Sequence, residues 1–126
     1  KFIKINNLEK NIFLTGYCKN VYEHLKSSDA FILSSLWEDP GFVLIEAAYS
    51  NTLIISSNCK NGPVEIIDEE RNGFLFESNN KKEFLKVFER FENSKVSSIY
   101  EKKLNAKKMS RKYSLFYHYK EFIKIL

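Results

Sequence analysis

The stretch Leu36-Trp37-Glu38-Asp39-Pro40-Gly41-Phe42-Val43-Leu44-Ile45-Glu46 joins an apolar run to a helical pattern, and its reading sets the fold. Upstream, Ala30-Phe31-Ile32-Leu33-Ser34 reads as a strand. Downstream, Phe42 to Tyr49 suits a buried helix. Pro40-Gly41 makes a turn in which backbone can approach a ligand closely. A helix beginning just after it points unpaired N–H groups and its positive dipole end toward that turn, a natural diphosphate site.

Two carboxylates flank the turn. Glu46 interrupts an apolar run, with Val43-Leu44-Ile45 before it and Ala47-Ala48 after it, and a carboxylate so placed needs a partner. It lies roughly 6 Å along the helix from the N-terminus. That is about the separation of a nucleotide's diphosphate from its ribose diol, and a carboxylate can accept both ribose hydroxyls. Glu38, at the end of the strand, sits where open α/β sheets place ligand contacts. Plainer readings stand beside these. Glu38 and Asp39 can be charges drawn to a helix start, and Glu46 can be paired with a buried Lys or Arg.

Outward from this segment, β-rich runs alternate with helical ones. Asn11 to Thr15 reads as a strand ended by Gly16, and Val21 to Lys26 as a short helix with Asn20 as cap. Thr52 to Ser56 is the next strand, Val64 to Asp68 a helical turn or two after Gly62-Pro63, and Gly73 to Phe76 a last short strand. The strands do not alternate with polar residues, as expected where both faces of a parallel sheet are covered. Phe84, Leu85, Phe88 and Phe91 form a helical stripe read as core packing. Helices near 97–112 and 115–125 close the chain, the latter expected to bury Phe116, Tyr119, Phe122, Ile123 and Leu126.

At 126 residues, with 44% hydrophobic and 29% charged, the chain fits one globular domain. No apolar run approaches the roughly 20 residues that span a bilayer, and no signal-peptide pattern opens the sequence. Cys18 and Cys59 stand alone, read as free thiols of a reducing compartment. Residues 101–126 hold eight Lys/Arg against Glu101 and Glu121, a balance of +6, while twelve basic and fourteen acidic residues leave −2 for the rest. The body is therefore not expected to bind nucleic acid. The basic tail is either a solvated helix face or a contact with anionic lipid headgroups. No G-x-G-x-x-G loop is present, which disfavours a small doubly wound nucleotide-binding protein.

The series from Ser35 to Ala47 resembles the Glu-x7-Glu signature of the GT-B glycosyltransferases called group 1 or GT4. Asn11 to Tyr17, Ser28 to Ser35, Asn58 to Ile67, Asn72 to Phe76 and Tyr113 to Tyr119 resemble other parts of that family, so the likeness runs through nearly the whole chain. It implies an α/β fold: a partial Rossmann-like parallel sheet, the GT-B C-terminal domain, with flanking and C-terminal helices. Residues 1–126 form one partial domain, with 97–126 as its closing helices.

The resemblance implies the donor-binding part of a retaining glycosyltransferase, acting on a glycan, lipopolysaccharide or lipid-linked acceptor. Glu46 would bind the ribose hydroxyls. Glu38, the candidate catalytic residue, would position the donor sugar. Backbone amides around Gly41, Phe42, Val43 and Leu44 would hold sugar and diphosphate, with Gly16 approaching from the other side. No metal or other cofactor is expected; the substrate is a nucleotide-sugar, with a UDP-sugar as the expected donor. Glu65 also matches the pattern and is read as structural. Asp39 and Pro40 stand where many members have glycine and phenylalanine, and Asn51 replaces a glycine before the next strand. The family's acceptor-binding domain and two strand-helix units would precede Lys1, so these residues alone are expected to be inactive in the cytoplasm or at its membrane. The alternative is a non-catalytic nucleotide-sugar-binding subunit that needs a separate acceptor-domain partner.

Overall fold

The computed structural model describes residues 1–126. The elements are α1 (Phe2–Ile5), α2 (Val21–Ser27), β1 (Ala30–Leu33), α3 (Phe42–Tyr49), β2 (Leu53–Ser57), α4 (Pro63–Ile66), β3 (Phe74–Phe76), α5 (Lys81–Glu92), α6 (Val96–Ser110), a 3-10 turn (Arg111–Tyr113) and α7 (Leu115–Ile123). The strands form one parallel sheet in the order β1-β2-β3, with Ile32 opposite Ile55 and Ile55 opposite Phe74.

β2 lies at the centre and is buried along its whole length. Its side chains point alternately to the two faces. Ile54 joins Leu44, Ala47, Ala48, Ile66 and Ala106 on one face, whereas Leu53 and Ile55 join Phe74, Phe76 and Val87 on the other. Burying each of these isoleucines contributes roughly 2–3 kcal/mol. Ala47 and Ala48 have no exposed surface, so α3 lies close against the sheet with no room for a larger side chain. α6 reaches both clusters, with Ile99 against one and Ala106 and Met109 against the other.

Local chemistry fixes the ends. Pro63 begins α4, where its missing N–H costs nothing. Asn80 caps α5, its side chain accepting from the Glu83 N–H at 3.1 Å. Asn51 takes φ 62°, the left-handed conformation that asparagine tolerates best after glycine, in the turn before β2. Thr52 donates its hydroxyl to the Leu25 carbonyl at 2.6 Å and ties α2 to the start of β2.

Four local expectations are corrected. Residues 11–15 form no strand, and Ile12, Phe13 and Leu14 are exposed, because no strand of the sheet pairs with them. Asn20 does not cap α2 with its side chain; its amide donates to Glu23 Oε1 at 2.8 Å instead. On α5, Val87 is the buried residue and Leu85 is exposed, so the stripe is Phe84, Val87, Phe88 and Phe91. α7 forms, but Phe116, Tyr119, Phe122, Ile123 and Leu126 all remain exposed, since the helix stands off both core clusters.

Candidate functional site

The strand, turn and helix around Gly41 are built as the sequence suggests. Gly41 is buried at φ 80°, ψ 46°, and the chain passes through it into α3 with no side-chain cap. Its left-handed backbone is readily open only to glycine. The N–H groups of Phe42 and Val43 find no acceptor within the protein. They are the free amides that give a helix start its affinity for anions.

Glu38 lies directly over this turn. The space where a Gly41 side chain would begin is 3.6 Å from Glu38 Oε2, an ordinary van der Waals distance, so it is the left-handed backbone and not crowding by Glu38 that calls for glycine here. The Glu38 backbone is held in turn by the connection after β2. Its N–H donates to the Lys60 carbonyl at 3.3 Å, and Trp37 makes a parallel β-bridge with Lys60. Ser57 donates its hydroxyl to the Ser35 carbonyl at 2.6 Å. Gly62, at φ 119°, packs so closely on the Pro40 carbonyl that no side chain fits between them. The peptide bond from Asp39 to Pro40 is cis.

Glu46 is half-buried and makes no hydrogen bond or ion pair through its carboxylate. The ion pairs join Arg71 to Asp68, Lys86 to Glu83, Arg90 to Glu69 and Lys124 to Glu121. No Lys or Arg among these residues pairs with Glu46. Its side chain instead lines a cavity of about 410 Å³ with Phe42 and Tyr49 of α3, Tyr22 of α2, and Tyr113 and Ser114 beyond α6. No three His, Cys, Asp or Glu side chains converge as a metal site.

The other sequence-selected residues divide by position. Phe42 lines the Glu46 cavity, whereas the Leu44 side chain is fully buried and can meet a ligand only through backbone. Val43 is half-buried. Glu38 does not line the cavity; it sits on the turn one helix-start away. Gly16, at φ 63°, lies in an exposed segment with nothing within 4 Å of the space a side chain would fill. Glu65 is exposed on α4. The sequence reading missed the tyrosines around Glu46. Tyr49, three residues beyond it on the same helix, was the one within reach of a spacing argument.

The fold, a parallel α/β sheet with a glycine-initiated helix flanked by two carboxylates that have no partner within the chain, is that of the GT-B glycosyltransferases it resembles among solved structures. The chain belongs to the glycosyl transferases group 1 family, whose profile matches residues 1–113. It is 35% identical over 96 residues to UDP-Gal:alpha-D-GlcNAc-diphosphoundecaprenol alpha-1,3-galactosyltransferase of Escherichia coli, covering 76% of this chain and 24% of that protein. It is 34% identical over 80 residues to poly(ribitol-phosphate) alpha-N-acetylglucosaminyltransferase of Staphylococcus aureus, covering 64% and 16%. Among solved structures it is similar to a mutant of S. aureus TarM in complex with fondaparinux, alpha-GlcNAc-glycerol and UDP. There the TM-score is 0.83 and the identity 26%, over 97% of this chain and 25% of that one. The chain thus spans a quarter or less of the length of these relatives.

Proposed function

We propose that this chain is the donor-binding part of a retaining glycosyltransferase of the GT4 type, taking a UDP-sugar as donor. The observation that carries the reading is the unpaired carboxylate of Glu46, one turn into a helix whose first amides are also unpaired. A nucleotide-sugar supplies both missing partners: diol hydroxyls for Glu46 and diphosphate oxygens for the amides of Phe42 and Val43. Glu38, resting over Gly41, is placed to accept from hydroxyls of the sugar. Gly16 is the weakest member of the set, standing in an exposed segment with nothing close to the space a side chain would fill. The positive end of α3 stabilises the departing diphosphate, so the reading calls on no metal. UDP in the TarM complex supports the choice of nucleotide.

Acceptor binding is assigned to a further domain of a longer protein, and residues 1–126 alone are expected to turn over nothing. The acceptor class follows the relatives, whose names specify a lipid-linked diphosphate glycan and a ribitol-phosphate polymer. A cytoplasmic site of action is supported by the free thiols of Cys18 and Cys59. Contact with an anionic membrane is supported by α7, where Leu115, Phe116, Phe122 and Ile123 are exposed beside Lys120 and Lys124. Co-sedimentation with phosphatidylglycerol vesicles at low salt, lost in phosphatidylcholine vesicles, is the expected result; failure to bind either removes the membrane contact.

The donor reading is tested by calorimetric titration with UDP-, GDP- and ADP-sugars, with Glu46→Ala in parallel. Tightest binding of the UDP-sugar and a loss of about tenfold or more in the variant are expected. Equal affinity in the two proteins would remove the ribose role of Glu46.

A further inference from the structure

The bridge between Trp37 and Lys60 sets two unlike side chains next to each other. Parallel pairing turns both to the same face of the two connections, roughly 5 Å apart at the backbone. Trp37, the single tryptophan of the chain, is 57% exposed, and its ring stacks with no other aromatic ring and lies under no cation. Lys60 is exposed too, and none of the ion pairs includes it. It is the only basic residue between Lys26 and Arg71, a stretch whose acids include Glu38, Asp39 and Glu46. Side-chain hydrogen bonds at this end of the sheet run from Ser57 and Ser78 to the Ser35 carbonyl and leave both residues out.

The backbone beneath them, by contrast, is held at several points. The Glu38 N–H donates to the Lys60 carbonyl at 3.3 Å, and just beyond it Gly62 packs on the Pro40 carbonyl. A fixed backbone that presents two unsatisfied side chains is a preorganised contact, since little of it has to be ordered when a ligand binds.

Position along the chain points to the ligand. In the donor reading the diphosphate lies at the amides of Phe42 and Val43, and the sugar at Glu38 over Gly41. Trp37 and Lys60 come next, past the sugar from the diphosphate, where the group that receives the sugar has to stand. An indole offers a broad apolar face to the C–H face of a pyranose ring. The ammonium beside it, with no carboxylate of its own, offers a point charge to a phosphate.

We infer that Trp37 and Lys60 form a subsite for the acceptor, taking a saccharide unit that carries a phosphate group; this rests on the donor reading above and deepens it. The donor-binding part then also grips the molecule to be glycosylated, opposite whatever the further domain contributes.

Trp37 is its own reporter, because no other tryptophan adds to the emission. The test is fluorescence titration of the 126-residue chain with glucose 1-phosphate, glucose and inorganic phosphate, after saturation with UDP-glucose to fill the position beside Glu38. Glucose 1-phosphate is expected to shift the emission saturably in the millimolar range, at lower concentration than glucose or phosphate alone. Lys60→Met should weaken it about fivefold, toward the affinity of glucose, while Lys60→Arg stays near wild type. Trp37→Ala, followed by calorimetry, should weaken glucose 1-phosphate and glucose alike. UDP-glucose affinity should be the same in all four proteins. Melting curves accompany the titrations; if Trp37→Ala melts early, the two Lys60 variants decide.

An emission unmoved by glucose 1-phosphate, with UDP-glucose bound, overturns the inference and leaves the donor reading standing. An equal response to inorganic phosphate overturns it as well, because the site then reads a bare anion. So does a loss of UDP-glucose affinity in Lys60→Met, which assigns the cation to the donor diphosphate. Wild type that binds no UDP-glucose sinks both.

Discussion

Gly62 and Pro40 are packed backbone to backbone: the carbonyl of Pro40 occupies the space in which any side chain at position 62 would begin. The turn that starts α3 is therefore shaped from outside by the turn that starts α4. Gly62→Ala meets both this overlap and a φ of 119° that alanine rarely adopts. A destabilisation of about 2–4 kcal/mol is expected in chemical denaturation. UDP-sugar affinity should fall with it, since the displaced Pro40 precedes Gly41. Melting and binding that both match wild type would show that the two turns are independent.

Glu46 supplies the opposite case. Its carboxylate has no partner in the protein, so Glu46→Gln removes no bond. Stability should stay within about 0.5 kcal/mol of wild type while donor affinity drops. A large loss of stability in urea unfolding would show that the carboxylate serves the fold.

Lys102 holds the loop before β3. Its ammonium donates to the carbonyls of Glu69 and Glu70, at 2.5 and 3.0 Å, and lies 4.9 Å from the centre of the Phe74 ring. Lys102→Met should cost about 1–3 kcal/mol, because two carbonyls lose their donor. Burial, and then the nearby Arg90, lower the Lys102 pKa below its usual 10.5. In the window between the lowered value and 10.5 the unfolded chain binds more protons at this residue, so its contribution to stability rises with pH there. The stability difference between wild type and Lys102→Met, followed by urea unfolding from about pH 7 up to 10.5, should widen in favour of wild type. A flat difference would contradict the burial of the charge.

Ser50 closes α3 with a buried hydroxyl that has no hydrogen-bond partner. Ser50→Ala removes an unsatisfied polar group at little cost in volume. It is expected to leave stability unchanged or raise it by about 1 kcal/mol in thermal melts. A drop of that size would indicate a partner for the hydroxyl.

The parts of the molecule legible in the sequence are those governed by local chemistry. The bounds of α3 follow from Gly41 at one end and the Asn51 turn at the other, and unbroken apolar runs mark the three strands. What escaped depends on partners distant in the chain. Asn11 to Leu14 has strand composition, but composition cannot supply a neighbouring strand. The amphipathic pattern of α7 predicts a face to be covered without saying by what. At the site, Glu46 stood out by its spacing along the helix and Glu38 mainly by the family resemblance, whereas Tyr22 and Tyr113 reach Glu46 only through the packing of α2 and α6 around α3. The contact between Gly62 and Pro40 leaves no periodic trace at all.

The stitching above the sheet has a consequence for anyone who would redesign the protein. Ser35, Trp37, Glu38 and Pro40 on one connection meet Ser57, Lys60 and Gly62 on the next, through backbone as much as side chain. Residues 35–41 and 57–62 therefore form a single transplantable cassette. Grafting one stretch from a relative without its companion would mismatch the splint between them, while moving both together carries the geometry of the turn intact.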